Sequence, residues 1–170
     1  MDWCQRNSRE LGTSFDSDIK VEERILSPSD FGFHNALRAK DGRIVFFDFE
    51  YFGWDDPAKT ISDFLLHPAM SLNEESKRRF VQGMISAFSE NKQLMTRVEL
   101  VYPLFASKWC LIFLNEFISE EFSRRAYAIE SVLDKKQLQK EQLNKARIFL
   151  EKIKGQYQSF PYNICAHGNF

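Results

Sequence analysis

The chain has 170 residues, 44% hydrophobic and 28% charged, with a formal net charge of −1. That length carries one domain with a core of its own, and the near-neutral balance supplies no basic field of the kind that recruits nucleic acid. Aromatics reach 15%, with 17 Phe, which favours a bulky core over disorder. No apolar run approaches the roughly 20 residues that cross a bilayer. The opening Met1-Asp2-Trp3-Cys4-Gln5 lacks the charged-then-apolar layout of a signal peptide, so a cytoplasmic location and no membrane span are expected. Cys4, Cys110 and Cys165 are far apart and form no CxxC pair, so reduced thiols are expected rather than disulfides or a zinc site.

Residues 1–24 are polar and weakly patterned, a poorly ordered lead-in with room for one short helix. From Arg24 to Phe49 the pattern is extended. Asp41-Gly42 separates two apolar stretches, Ala36 to Ala39 and Ile44 to Phe49, and Asp-Gly is a strong two-residue hairpin signal. The second stretch is almost continuously apolar, as in a strand buried on both faces, which makes Asp48 within it conspicuous. Asp56-Pro57 then reads as a helix N-cap followed by proline at the first helical position. Ile61, Phe64 and Leu65 supply the stripe, and Pro68 follows the end.

Ser71 with Glu74 has the spacing of a capping box. It opens a helix bearing Phe80, Val81, Met84, Ile85 and Phe88 on one face. A third helix carries Val98 to Phe113, with Pro103 as a kink or a late start. A fourth covers about 135–154, with Gly155 as its stop. Residues 161–170 form an irregular tail. The fold class expected is α+β, mainly α, with a β-hairpin around residues 35–49 inside a domain spanning 25–160.

Three residues carry the chemistry: Asp30, Asn35 and Asp48. Asp30 and Asn35 enclose four residues, and Asp48 ends the next strand. Phosphoryl transfer from ATP needs this inventory: one carboxylate to orient and deprotonate an acceptor hydroxyl, and an amide oxygen with a second carboxylate to hold Mg²⁺. With a two-residue loop, Lys40 pairs with Arg43, and counting outward sets Asn35 opposite Asp48. Directly opposed residues have Cβ atoms about 4.5–5.5 Å apart. The bland alternative has Asp30 capping a turn, Asn35 bonding the backbone, and Asp48 pairing with an arginine such as Arg38.

The stretch Leu26 to Asn35, followed by Phe47-Asp48-Phe49-Glu50-Tyr51, resembles the aminoglycoside phosphotransferase family, and Asp48-Phe49-Glu50-Tyr51 looks especially like its choline and ethanolamine kinase branch. The close match covers roughly residues 25–68. The resemblance implies the C-terminal lobe of a protein-kinase-like fold, with Asp30 as catalytic base and Asn35 and Asp48 as ligands of Mg²⁺ beside ATP. Glu50, on the same side of the strand as Asp48, is a further candidate metal contact. The acceptor implied is a small hydroxylated molecule: an amino alcohol, an aminoglycoside or a sugar-like compound. Two departures stand out. Pro28-Ser29 replaces the His-Gly that usually precedes the catalytic Asp, and Thr60 replaces an acid that braces the catalytic loop, with Asp63 a turn later as a substitute.

The seven glycines are dispersed, so no glycine-rich phosphate loop exists. The nucleotide-gripping lobe is expected to be absent, leaving this lobe inactive alone. The competing reading is a non-catalytic, degenerate kinase-like binding module, and a third is an unrelated helical domain. A homo-oligomer stays open. Among secondary residues, His34 is read as loop packing, His67 as a helix end and His167 as tail, with no metal cluster around any of them. Trp54, Tyr51, Trp109 and Phe113 are read chiefly as core, with a cation–π pocket as the alternative.

Overall fold

The computed structural model describes residues 2–14, 16–118 and 135–162. Among them the fold is mainly helical with two small antiparallel sheets of two strands each, the α+β class expected. Cys165 and His167 lie outside the described residues.

The lead-in contains helix α1, Asp2–Glu10, with Asp2 in its first turn and Arg9 in its last, the arrangement that suits the helix dipole. Strand β1, Ile25–Ser27, pairs with β4, Gly53–Asp55, in the register Ile25↔Asp55, Leu26↔Trp54 and Ser27↔Gly53. Everything between is therefore an excursion that leaves and returns at one place. Within it, β2, Ala36–Arg38, pairs with β3, Ile44–Phe46. The register is Ala36↔Phe46, Leu37↔Val45 and Arg38↔Ile44.

The hairpin forms as expected, but its loop has three residues, not two. Ala39 N–H donates to the Arg43 carbonyl at 2.8 Å, and Gly42 N–H to the Ala39 carbonyl at 2.9 Å. Gly42 at φ +87 supplies the left-handed step that closes such a loop. Asp41 contributes its side chain, accepting from the Arg43 backbone N–H and from Arg43 Nε. Those bonds hold its carboxyl below the usual range, the backbone bond first. The extra loop residue shifts the pairing by one position.

Helix α2, Pro57–Leu66, starts as the sequence indicates: Asp56 caps it, accepting from Ala58 N–H at 2.9 Å, and Pro57 occupies the first position. Every residue of this helix except Lys59 is buried. Helix α3, Glu74–Ala87, is capped by Asn73, whose side chain accepts from Ser76 N–H at 2.8 Å. Ser71, the expected cap, instead has φ +46 at the end of a 3-10 turn over Pro68–Met70; an Asn carbonyl three residues before a free N–H caps as well as Ser does.

Helix α4, Leu94–Phe113, runs through Pro103. Together with the 3-10 turn that follows, Leu94–Phe117 is long and apolar enough to cross a membrane by length and composition, contrary to the expectation that no segment is. Leu94, Val98, Leu100, Ala106, Trp109 and Cys110 of that stretch are buried in the protein itself. Helix α5, Lys135–Gln156, includes Gly155 rather than stopping at it, because that glycine does not take the left-handed conformation that ends helices.

Two compact units divide the described residues: those up to Phe105 with those from Ser159 on, and those from Ala106 to Gln158. The first has the core of Ala58, Ile61, Leu65, Val81, Leu94 and Val98, joined by Phe160 and Tyr162. Phe80 stacks on Phe64 with centroids 3.7 Å apart, and Tyr102 meets Phe160 edge-on at 5.1 Å. Tyr162 donates its hydroxyl to Glu74 at 3.3 Å. Burial, and after it the neighbouring Glu74 charge, pushes the Tyr162 phenol well above its usual range, and burial does the same to Tyr102. In the second unit Phe113 meets Phe149 edge-on at 5.6 Å, and Gln139 Nε2 donates to the Glu116 carbonyl at 3.0 Å.

Candidate functional site

The segment between β1 and β2 holds Asp30 and Asn35, and its path depends on polar anchors. Ser29 has φ +65, a conformation disfavoured for a residue with a Cβ by roughly 1–2 kcal/mol. Three bonds hold it there. Its own N–H donates to Ser27 Oγ at 3.0 Å. Ser27 Oγ lies 3.2 Å from Thr60 Oγ1 in a buried contact. Lys59 Nζ donates to Ser29 Oγ at 2.8 Å.

The lysine is itself fixed by Asp55 at 2.5 Å and flanked by Asp63 at 3.8 Å. Thr60 thus braces this loop through its hydroxyl, in the place where the family resemblance would put an acid. Asp63 stands beside Lys59 at 3.8 Å.

Asp30 follows directly, with its side chain half-exposed. His34 Nε2 donates to Asp30 Oδ1 at 3.0 Å. Asn35 Nδ2 donates both to the Asp30 backbone carbonyl at 3.0 Å and to Oδ2 at 3.2 Å. Each carboxylate oxygen therefore has one donor from the chain, which fixes the plane of the group and leaves lone pairs facing outward. Asn35 commits its NH₂ inward, and its carbonyl oxygen is the atom left to meet a cation.

The second support comes from a 3-10 turn over Phe33–Asn35 packed against the one over Pro68–Met70. Here His34 stacks face to face on His67, with centroids 3.8 Å apart and planes within 3°. Phe33 N–H lies 3.1 Å from the Met70 sulfur. Gly32 has no room for a side chain: a Cβ there would sit 2.6 Å from the His34 ring and 2.7 Å from the Met70 sulfur. Its φ of 174 is ordinary extended backbone, so this glycine is required by space alone.

Asp30, His34 and His67 bring one potential ligand atom each to within 4.8 Å of one another, although the sequence gives no expectation of a metal cluster around these histidines. The arrangement does not fit chelation. An imidazole binds a metal along a lone pair in its ring plane, and an ion in the plane of one of two parallel rings 3.8 Å apart lies far out of the other's. In addition, His67 Nδ1 accepts from Ala69 N–H at 3.1 Å. In the neutral ring that bond puts the hydrogen on Nε2, the nitrogen that faces Asp30 at 3.9 Å. His34 bonds the Asp30 carboxylate directly, and His67 backs it by stacking on the His34 ring.

Asp48 is not opposite Asn35. The ladder continues with Phe47 N–H donating to the Asn35 carbonyl at 3.0 Å, so Asn35 faces Phe47, and Asp48 is the next residue beyond. The three-residue loop causes the slip, since one added residue displaces every pairing by one. Asp48 has φ +64, so the chain leaves the ladder there. It is exposed and makes no ion pair with Arg38 or any other described residue. Glu50 is likewise exposed.

The stretch expected to be buried on both faces is open instead: Ile44, Val45, Phe47 and Phe49 are each more than 40% exposed, as are Tyr51, Phe52 and Trp54. A two-stranded ribbon buries little of either face; in this strand Phe46 packs inward, its ring 5.1 Å from that of Phe31. Trp109 is buried in the second unit.

Two functional supports escape sequence reasoning. His67 is 33 positions from His34, and nothing in their spacing announces the stack. Lys59 does leave a trace, because Asp55, Lys59 and Asp63 stand at i, i+4 and i+8. The buried thiols of Cys4 and Cys110 are pushed up by burial, as inert reduced cysteines are. Comparison with known proteins finds no matching family model, no matching curated relative and no matching solved structure.

Proposed function

We propose that this chain is the acceptor-side and metal-side lobe of a small-molecule phosphotransferase, moving the ATP γ-phosphate to a hydroxyl of an amino alcohol, aminoglycoside or sugar-like acceptor. The observation that carries the reading is the Asp30 carboxylate, held by Asn35 and His34 yet open on its outer side. A base of this kind accepts the acceptor's proton as its oxygen attacks phosphorus. Asn35 and Asp48 offer hard oxygen donors of the type Mg²⁺ prefers, and Asp48 makes no ion pair among the described residues. Mg²⁺ bound there would neutralise charge on the phosphate oxygens. The open aromatic surface from Phe47 to Trp54 supports a catalyst completed by a second, nucleotide-gripping lobe over that face.

ATP consumption by the chain, alone and joined to such a lobe, measured against a panel of amino alcohols and sugars, tests the reading. Turnover abolished in both Asp30→Ala and Asp48→Ala is expected, and full activity in either sinks the assignment. The second reading, a non-catalytic kinase-like module, is favoured by the one-residue slip that takes Asp48 from its expected place opposite Asn35. Calorimetry separates the two, since the module binds no Mg²⁺-nucleotide in either form.

A further inference from the structure

Within helix α2 one residue is out of keeping. Nine of its ten positions are buried and Lys59 is the exception, yet its ammonium is engaged rather than solvated. It contacts Asp55 at 2.5 Å, Ser29 Oγ at 2.8 Å and Asp63 at 3.8 Å. An ordinary surface lysine at i+4 from an aspartate contributes little and stays mobile. This one spans from the helix to a residue 30 positions earlier, and that residue is the left-handed Ser29 that immediately precedes Asp30.

We infer that Lys59 is a positioning residue for Asp30, acting through Ser29. This rests on the phosphotransferase reading only in giving Asp30 a catalytic role; the positioning itself is a matter of geometry. A serine at positive φ relaxes to ordinary backbone unless something holds it. Asp30 N–H bonds the Pro28 carbonyl at 2.8 Å across that residue, so relaxation at Ser29 turns Asp30 away from Asn35 and His34. The Ser27–Thr60 contact anchors the near side of the turn, and Lys59 anchors its apex. The two aspartates flanking Lys59 keep the ammonium in place, so the apex has a fixed reference on a buried helix.

The test uses the full chain and needs no turnover. NMR of the Asn35 side-chain amide and of the His34 ring nitrogens reports the two bonds to Asp30 directly, while thermal melts report the fold. In Lys59→Met the Asn35 amide signals are expected to shift to those of a solvent-exposed asparagine, and the His34 ring to lose its single tautomer. Lys59→Arg, which keeps a donor, restores both. Ser29→Ala, which removes only the hydroxyl and does not threaten the core, reproduces the loss. Ser29→Gly separates anchor from strain: its backbone tolerates the left-handed conformation, so partial retention is expected.

Unchanged Asn35 and His34 signals in both Lys59→Met and Ser29→Ala overturn the inference, whatever the melts show. Line broadening by Mn²⁺ at Asn35 and Asp48, read in the same spectra, judges the phosphotransferase site separately. Its absence with intact Lys59 effects rejects that reading and leaves the positioning role standing.

Discussion

The helical core and the hairpin region are stabilised by different means. Around Ile61, Val81 and Val98, which are fully buried, apolar contact does most of the work, with caps such as Asp56 and Asn73 at the helix ends. Between Ser27 and Asp55 the balance is reversed: apart from Phe31 and Phe46, whose rings meet at 5.1 Å, the aromatics lie open, and the chain is held by hydroxyls, an ammonium, an amide and two stacked imidazoles. Apolar burial is tolerant of detail, because it is non-directional and scales with area. A hydrogen-bonded loop with residues at positive φ fixes atoms to a definite geometry, which a reactive carboxylate requires and a core does not.

The sharpest way to test that contrast is to change one tightly packed position in each region. Ile61→Ala leaves a cavity in the core and is expected to lower stability by about 2–5 kcal/mol in denaturant unfolding. Gly32→Ala tests the site through space rather than burial. The added methyl must displace the His34 ring or Met70, at a cost of about 1–3 kcal/mol, and ring spectra should show His34 leaving Asp30.

The core also carries a pH signature. Tyr102 and Tyr162 have phenols raised in the folded state, so the folded chain keeps protons that the unfolded chain releases. Their contribution is complete below about pH 10 and is lost as pH rises above it, at up to about 1.4 kcal/mol per pH unit for each tyrosine. Melts across the alkaline range should show this, with Tyr162→Phe shallower than the parent. Asn73→Ala removes the α3 cap for about 1 kcal/mol, read by the same melts. Least of all, Ile44→Thr on the open ribbon should stay within about 0.5 kcal/mol, and a larger loss would mean that this face is covered after all.

Much of the helical framework is legible in the residues. Asp56-Pro57 marks the start of α2 because cap and proline chemistry are local. The stripe Phe80, Val81, Met84, Ile85 is legible because helical periodicity is local too. Phe160 and Tyr162 were not, since a pair of aromatics in a short tail has no period, and only the packed helices give them a place to be buried. In the site, the sequence places Asp30 and Asn35 within one loop, five residues apart, and any compact turn keeps them close. It does not reveal whether the hairpin loop has two residues or three, because Asp-Gly serves both, and on that single residue depends whether Asn35 faces Asp48 or Phe47.

By itself, then, the sequence determined the α+β class, the cap and stripe of α2, the existence of the hairpin and the proximity of Asp30 to Asn35. Each of these follows from interactions between residues a few positions apart. The tertiary structure decided the register of the ribbon, the exposure of its aromatics, the stack of His34 on His67, and the reach of Lys59 to Ser29. Those depend on which distant surfaces meet, a matter of directional contacts whose partners no local pattern encodes.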